Sequence, residues 1–339
     1  MDSFIVTGTD KAELLQVDRP EVGGDADVVV RIKACGICGS DVFYVHNGGI
    51  PPRIGRTPLG HEPAGVVVQV GANVEGVAVG DHVVINPMAN RDGIIGNGGA
   101  QGALAEEVVL FDAQPGVHFR VIPAHVPWTV AALNEPMAVA YHGVNRSGAG
   151  AGSKVVVFGA GPVGLGAAIG FKSKGVEHVV VVDVVPNRLE KALLVGADAV
   201  INSAEENVIE RLKELHGEVP GFMGRGSKPA TDVYFDAAGV PVVIKTALEA
   251  AKNRAVLTIV AVHKTPVEID LQEILTTEVD IRLSMGYPTE IFEVTDSIIE
   301  QWEQYQHIIS DVVPFAEVDR ALKLAATPGA TDKVVVVFQ

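Results

Sequence analysis

The sequence predicts an α/β chain of two domains: a β-rich domain of short strands and a doubly wound parallel sheet of six strands. Three observations carry this. A length of 339 residues suits two domains better than one. A hydrophobic fraction of 47% with only 5% aromatic residues implies a core of Val, Ala, Leu and Ile, as in parallel sheets covered by helices. From Lys154 onward, apolar runs alternate with helical stretches, whereas before it short strands are separated by glycine and proline turns.

In chain order, residues 1–35 read as a strand, a polar turn and a second strand at Asp27–Ala34, with the partial alternation of a strand that has one wet face. Cys35 to Asp41 begins a helical turn. Residues 44–60 are loop. Strands are expected at Ala64–Val70, Asp81–Ile85 and Ala105–Leu110. Residues 86–103 hold five glycines and no periodic pattern, and are expected to be a mobile loop. One helix is expected from Pro127 to Gly143, with Glu135 inside it. The parallel sheet takes Val155–Phe158, Val179–Val182, Asp198–Ile201, Asp232–Phe235, Ala255–Ile259 and Ile281–Met285. Gly217–Thr231 reads as a long surface loop. Helices at Ile291–Tyr305 and Phe315–Ala326 and a strand at Lys333–Phe338 end the chain.

A net charge of −16 without any basic tract argues against nucleic acid or an anionic membrane as partner. The two cysteines, Cys35 and Cys38, exclude a disulfide framework at this size. The uncharged run Val155–Phe171 carries five glycines and a proline and falls short of the ~20 residues that span a bilayer. Met1-Asp2-Ser3-Phe4 lacks the basic region and apolar core of a secretory signal, so a cytoplasmic location is expected.

Gly159-Ala160-Gly161-Pro162-Val163-Gly164 follows a buried strand and opens a helix, the context a dinucleotide fingerprint requires. Gly159 permits the tight turn. Gly161 lets the backbone approach a pyrophosphate at the helix N-terminus, and Gly164 lets helix and strand pack closely. Asp183 ends the next strand, nineteen residues after Gly164. An acid there binds ribose hydroxyls and repels a 2′-phosphate, which favours NAD over NADP, with Arg188 nearby working the other way. Val262, Met285 and Gly286, at or just beyond the ends of later strands, complete the expected cofactor contacts.

Cys35-Gly36-Ile37-Cys38-Gly39-Ser40-Asp41 and Gly60-His61-Glu62 bring together soft thiolate, imidazole and carboxylate, a donor set that suits zinc. Two cysteines alone also fit a redox pair or two buried small apolar residues. Neither alternative accounts for His61 and Glu62, or for Glu135 directly before Pro136. His82, His118, His125 and His178 read as structural.

The run Gly60-His61-Glu62-Pro63-Ala64-Gly65, with Gly71 and Val74 after it, resembles the zinc signature of medium-chain alcohol dehydrogenases. The Cys35–Asp41 motif, Gly76 to Val83, Gly102-Ala103-Leu104-Ala105-Glu106 and the fingerprint follow in that family's order. The resemblance spans essentially the whole chain and is greatest to the sorbitol, butanediol and threonine dehydrogenases. It implies a GroES-like catalytic domain from residues 1–140 and 288–339, around a Rossmann domain of residues 141–287. It implies that Cys38 and His61 ligate a catalytic zinc, with Glu62 next to the metal and Glu135 binding it directly or through water. That set varies the Cys₂His of alcohol dehydrogenase. It further implies that Asp41 orients His61, that Ser40 carries the substrate proton outward, and that Cys35 is no ligand.

Two departures bear on function. Many relatives hold a second, structural zinc on four cysteines around residues 86–103; this chain has none there, so one zinc is expected. Relatives often carry a histidine three residues after the relay serine, where this chain has Phe43; His46 is the candidate to replace it. The expected activity is zinc-dependent, NAD-linked interconversion of a secondary alcohol or polyol and its ketone, by a homo-oligomer (tetramer or dimer). A zinc-free enoyl or quinone reductase and a non-catalytic nucleotide-binding subunit are the alternatives.

Overall fold

The computed structural model describes residues 1–224, 226–327, 329 and 331–339. It resolves into two compact units, Met1–Glu135 with Ile291–Gln339, and Pro136–Glu290.

Along the first stretch come β1 (Asp2–Gly8), β2 (Lys11–Gln16), β3 (Val28–Gly36), α1 (Gly39–His46), β4 (Thr57–Pro58), β5 (Glu62–Val70), β6 (His82–Ile85), β7 (Glu107–Leu110), β8 (Phe119–Ile122) and α2 (Trp128–Ala131). Helix α3 (Asn134–Ser147) leads out of this unit. Then follow β9 (Lys154–Phe158), α4 (Pro162–Ser173), β10 (His178–Asp183), α5 (Pro186–Leu194), β11 (Ala199–Asn202), α6 (Val208–His216), β12 (Glu218–Pro220), β13 (Ser227–Pro229), β14 (Val233–Asp236), α7 (Pro241–Ala250), β15 (Val256–Ile259), α8 (Leu271–Ile274) and β16 (Asp280–Leu283). The chain returns to the first unit with α9 (Glu293–Tyr305), β17 (Asp311–Pro314), α10 (Val318–Ala326) and β18 (Val334–Val337).

In the first unit β3 is the hub. It pairs antiparallel with β5, β7 and β18, in a sheet ordered β17-β18-β3-β5-β6-β8. Its Val28, Val29, Val30, Ile32 and Cys35 are all fully buried, and β-branched residues suit such a pleated, two-sided position. The register sets Gly36 opposite Glu62 on one side and Val335 on the other. Three distant stretches of sequence are thereby joined at one spot.

In the second unit six parallel strands run in the order β11-β10-β9-β14-β15-β16. The order reverses between β9 and β14, and ligands of such sheets bind in the crevice outside the carboxyl ends of the strands there. The all-apolar Val155–Phe158 is buried, as a central strand with helices on both faces must be. Val156, Val180, Ile201, Tyr234 and Leu257 pack one face against Ile244, Ala247 and Leu248 of α7.

Three local expectations are corrected. The helix expected from Pro127 to Gly143 is broken, with α3 starting afresh at Asn134. Pro136 explains this, since proline fits the first turn of a helix and disrupts an interior. The expected loop Gly217–Thr231 contains a two-stranded hairpin, β12 with β13. Residues 86–103 are tied down: Asn90 bonds Asp92, Val109 O and the Phe111 N–H, while Gln101 bonds Asp92 and both backbone groups of Val109. Ile95 is fully buried beneath this clasp. Among the described residues no helix is long and apolar enough to cross a membrane.

Candidate active site

Cys38 is the N-cap of α1, in extended conformation at φ −97° and ψ 155°. Asp41, three residues on, reaches back so that its Oδ2 accepts the Cys38 N–H at 2.9 Å, half of a capping box. Its Oδ1 accepts the Gly60 N–H at 3.2 Å and lies 3.5 Å from His61 Nδ1, an ion-pair rather than a hydrogen-bond distance. One fully buried carboxylate therefore fixes the thiol-bearing helix start against the segment that bears the histidine. That segment is crowded: Gly60 adopts φ +89°, and a Cβ there would stand 2.5 Å from Leu104 N.

Among the described residues, Cys38, His61 and Glu62 form a cluster whose ligand atoms lie within 4.8 Å of one another. His61 and Glu62 are buried, and Cys38 is half-buried. Ser40 Oγ lies 3.3 Å from His61 Nε2. Glu62 Oε1 and His61 Nδ1 have no hydrogen-bond partner, whereas Glu62 Oε2 is held in an ion pair with Lys333. Orphaned buried polar atoms on a soft-plus-hard donor set are what a zinc ion would satisfy, so these residues fit the metal. Burial pulls the His61 imidazole down, but the Asp41 carboxylate and Cys38 overcome it and raise the ring well above the ordinary histidine range. Burial pushes the Cys35 thiol far up. Cys35 is fully buried in the apolar core of the first unit.

Sequence reasoning missed Lys333. Its Nζ is paired with Glu62 and donates to Ile37 O at 3.0 Å, and both side chains of the pair are almost wholly buried. Burial pulls its ammonium down, while Glu62, Cys38 and Glu135 more than reverse that and keep it charged. The pair exists because Gly36 lies between: a Cβ there would sit 1.8 Å from Glu62 Oε2 and 3.0 Å from Lys333 Cε. A lysine heading the apolar run Val334–Val337 was the available signal.

Of the other expected residues, Glu135 lies in the first turn of α3 and is not in the 4.8 Å cluster, although its charge acts on Lys333. His46 stands in the last turn of α1, exposed, with Nδ1 2.9 Å from Asp10 Oδ1. Phe43 is 62% exposed. The structure thus brings Ser40 and Asp41 to His61 and leaves His46 at the other end of the helix.

The nucleotide cradle lies in the second unit. Gly161 is the N-cap of α4, with Pro162 and Val163 in its first turn. A Cβ on Gly164 would lie 1.8 Å from Gly159 O, whereas one on Gly161 would meet nothing within 4 Å. The helix start is thus pressed onto the turn and open on its outer side, as an approaching pyrophosphate needs. The Asp183 carboxylate accepts three backbone N–H bonds: Ala160 at 2.7 Å, Val184 at 2.7 Å and Val185 at 2.9 Å. It anchors the glycine turn. Arg188 follows early in α5; Val262 is 77% and Met285 84% exposed, and Gly286 adopts φ +64°.

Two family models match the chain. Residues 24–118 match the alcohol dehydrogenase GroES-like domain, and residues 162–301 match the zinc-binding dehydrogenase family. An (R,R)-butanediol dehydrogenase of Neisseria gonorrhoeae is 32% identical over 302 residues, covering 81% of each chain. The chain belongs to the zinc-binding alcohol dehydrogenase family. A sorbitol dehydrogenase of Bos taurus is 32% identical over 299 residues, 83% of this chain and 80% of that one. A Sinorhizobium meliloti 1021 protein solved with NADP bound superposes with a TM-score of 0.83 at 26% identity, over 99% of this chain and 98% of that one. The fold is therefore the family's: a GroES-like domain with a Rossmann-type sheet of six parallel strands.

Proposed function

We propose that this chain is a zinc-dependent, NAD-linked dehydrogenase that interconverts a secondary alcohol or polyol and the corresponding ketone. The observation that carries this is the cluster of half-buried Cys38 with buried His61 and Glu62, with Ser40 beside it, in a chain of this family. When bound, zinc supplies Lewis-acid polarisation of the alcohol oxygen and a nicotinamide dinucleotide supplies the hydride acceptor. Cys38, His61 and Glu62 would hold the metal, with Glu135 as a further carboxylate. Asp41 orients His61, and Ser40 Oγ takes the substrate proton, since a hydroxyl both accepts and donates. From Ser40 the proton passes to water, because His46 is engaged with Asp10 at the far end of α1. The glycine turn and the start of α4 would hold the pyrophosphate, and the Asp183 carboxylate favours NAD over NADP.

The same reading includes one zinc per chain, a cytoplasmic location and a homo-oligomer, tetramer or dimer. Both cysteines are free thiols, which suits a reducing compartment. The edge strand β16 and its end expose Ile281 (39%), Leu283 (68%) and Met285 (84%), and such an edge invites pairing with a second copy. Metal analysis of the purified protein, together with NADH production across secondary alcohols, polyols and hydroxy amino acids, tests the proposal. A metal-free protein active on none of them would sink it.

A further inference from the structure

At the carboxyl end of β14, Asp236 is fully buried. Its Oδ1 accepts the N–H groups of Ala238 and Gly239, both at 2.9 Å, and its Oδ2 accepts the Nε2–H of His263 at 2.6 Å. Its backbone oxygen accepts the N–H groups of Val260 at 3.0 Å and Ala261 at 3.1 Å. One residue thus ties the loop after β14 to the loop after β15.

The tie stands at the reversal of strand order. Asp236 pairs with Phe158 across the β14–β9 ladder, directly before Gly159. A Cβ on Gly159 would come within 3.1 Å of Ala237 and Ala238, and one on Gly239 within 2.8 Å of Val262 O. The fingerprint turn, the loop after β14 and the loop after β15 therefore pack in series. The last of them presents Val262, 77% exposed, on a segment with no strand or helix of its own. The bonds to Asp236, the packing on Gly239 and the contact of the Val260 side chain with Gly143 hold that segment in one conformation.

We infer that His263 is a positioning residue for the nucleotide: tethered to Asp236, it fixes residues 260–263 so that the exposed face of Val262 stands ready against the bound dinucleotide. This rests on the reading that the cradle takes a nicotinamide dinucleotide. The carboxylate, an acceptor only, sets the ring by taking the Nε2–H, and a charge-assisted bond of this kind is about twice as strong as a neutral one. Without it the Val260 and Ala261 bonds remain, but residues 262 and 263 lose their side-chain tether and must be ordered at the moment of binding, which weakens affinity without touching the reacting atoms.

The test is NADH binding followed by the fluorescence of bound NADH, with thermal unfolding in parallel, for the wild type, His263→Ala and His263→Gln. His263→Ala is expected to raise the Kd for NADH about tenfold, the size of one such hydrogen bond, while still folding, with an unfolding midpoint lowered by only a few degrees because Asp236 keeps the Ala238 and Gly239 bonds. His263→Gln, whose amide N–H can reach Asp236, is expected to recover most of the affinity. At saturating NAD the His263→Ala enzyme keeps its turnover, so the loss appears in KM. Equal binding by wild type and His263→Ala overturns the inference alone, as does equal weakening by both variants or failure of His263→Ala to fold. A wild type that binds neither NADH nor NADPH removes the nucleotide reading itself.

Discussion

Around β3, Cys38, Asp41, His61, Glu62 and Lys333 put thiol, imidazole, carboxylates and ammonium into one largely water-free spot. Around Gly159, by contrast, the cradle is made of backbone: an open helix start, a glycine turn, and carboxylates that bond only N–H groups or a neighbouring ring. The first kind of site depends on the charge of each member, because removing one leaves the others buried and uncompensated. The second depends on shape, so single substitutions there should weaken binding by increments.

The sharpest break is at the thiolate. Cys38→Ser should lose zinc and turnover together, by several orders of magnitude, while circular dichroism reports a folded chain, because a hydroxyl is a poor replacement for thiolate. Cys35→Ser should retain most activity. If both variants lose metal alike, the two cysteines act as a pair.

Next in size is the buried ion pair. Lys333→Met should destabilise the metal-free protein by about 3–5 kcal/mol in denaturant titration, since Glu62 would be left as a lone buried charge. Adding Glu62→Leu should return most of that stability without restoring activity. A small effect of Lys333→Met alone would mean that water reaches the pair.

The raised His61 predicts how metal uptake follows pH. Zinc needs the neutral ring, and the Asp41 and Cys38 partners hold the proton on until well above the ordinary histidine range. Zinc affinity should therefore rise up to about tenfold per pH unit through neutrality and flatten only above the raised pKa. Asp41→Asn should bring that plateau to lower pH. Competition with a chromogenic chelator measures both.

In the cradle the effect is smaller and more graded. Asp183→Asn should shift the ratio of kcat/KM for NAD over NADP by about tenfold toward NADP, as the repulsion of a 2′-phosphate disappears. Asp183→Gly should also weaken both cofactors, because it releases the Ala160, Val184 and Val185 bonds. An unchanged ratio would assign the choice to Arg188. The smallest effect is expected at His46→Gln: turnover and its pH profile within about twofold of wild type, as for an exposed pair with Asp10. A flattened profile rescued by imidazole buffer would make His46 the relay.

Much of this was legible in the sequence, because the features concerned are local. The fingerprint sits between a strand and a helix that its own residues specify, and Cys38, Ser40 and Asp41 fall within one helical turn. What escaped is non-local. Lys333 reaches Glu62 only because β18 and β5 flank β3 in a particular register. Asp183 looked like a ribose ligand, and its bond to Ala160 depends on how the turn after β9 folds over the end of β10. The clasp at Asn90 and Gln101 was hidden by glycines that read as freedom but here permit close approach, as at Gly96, where a Cβ would stand 1.9 Å from Gly60 O.

That clasp has a consequence for how the protein is made. Asn90, Asp92 and Gln101 shape residues 86–103 with amide and carboxylate groups present as soon as the chain is synthesised. On the proposed reading of one zinc per chain, the lobe would reach its final form in a metal-starved or oxidised cell, and press Gly96 against the peptide before His61 in advance of any loading. A chelator should strip the catalytic ion and leave hydrogen-exchange protection of the Val109 and Phe111 amides untouched. Apoprotein made under zinc limitation would then be a reservoir that activates on resupply, without refolding of this lobe.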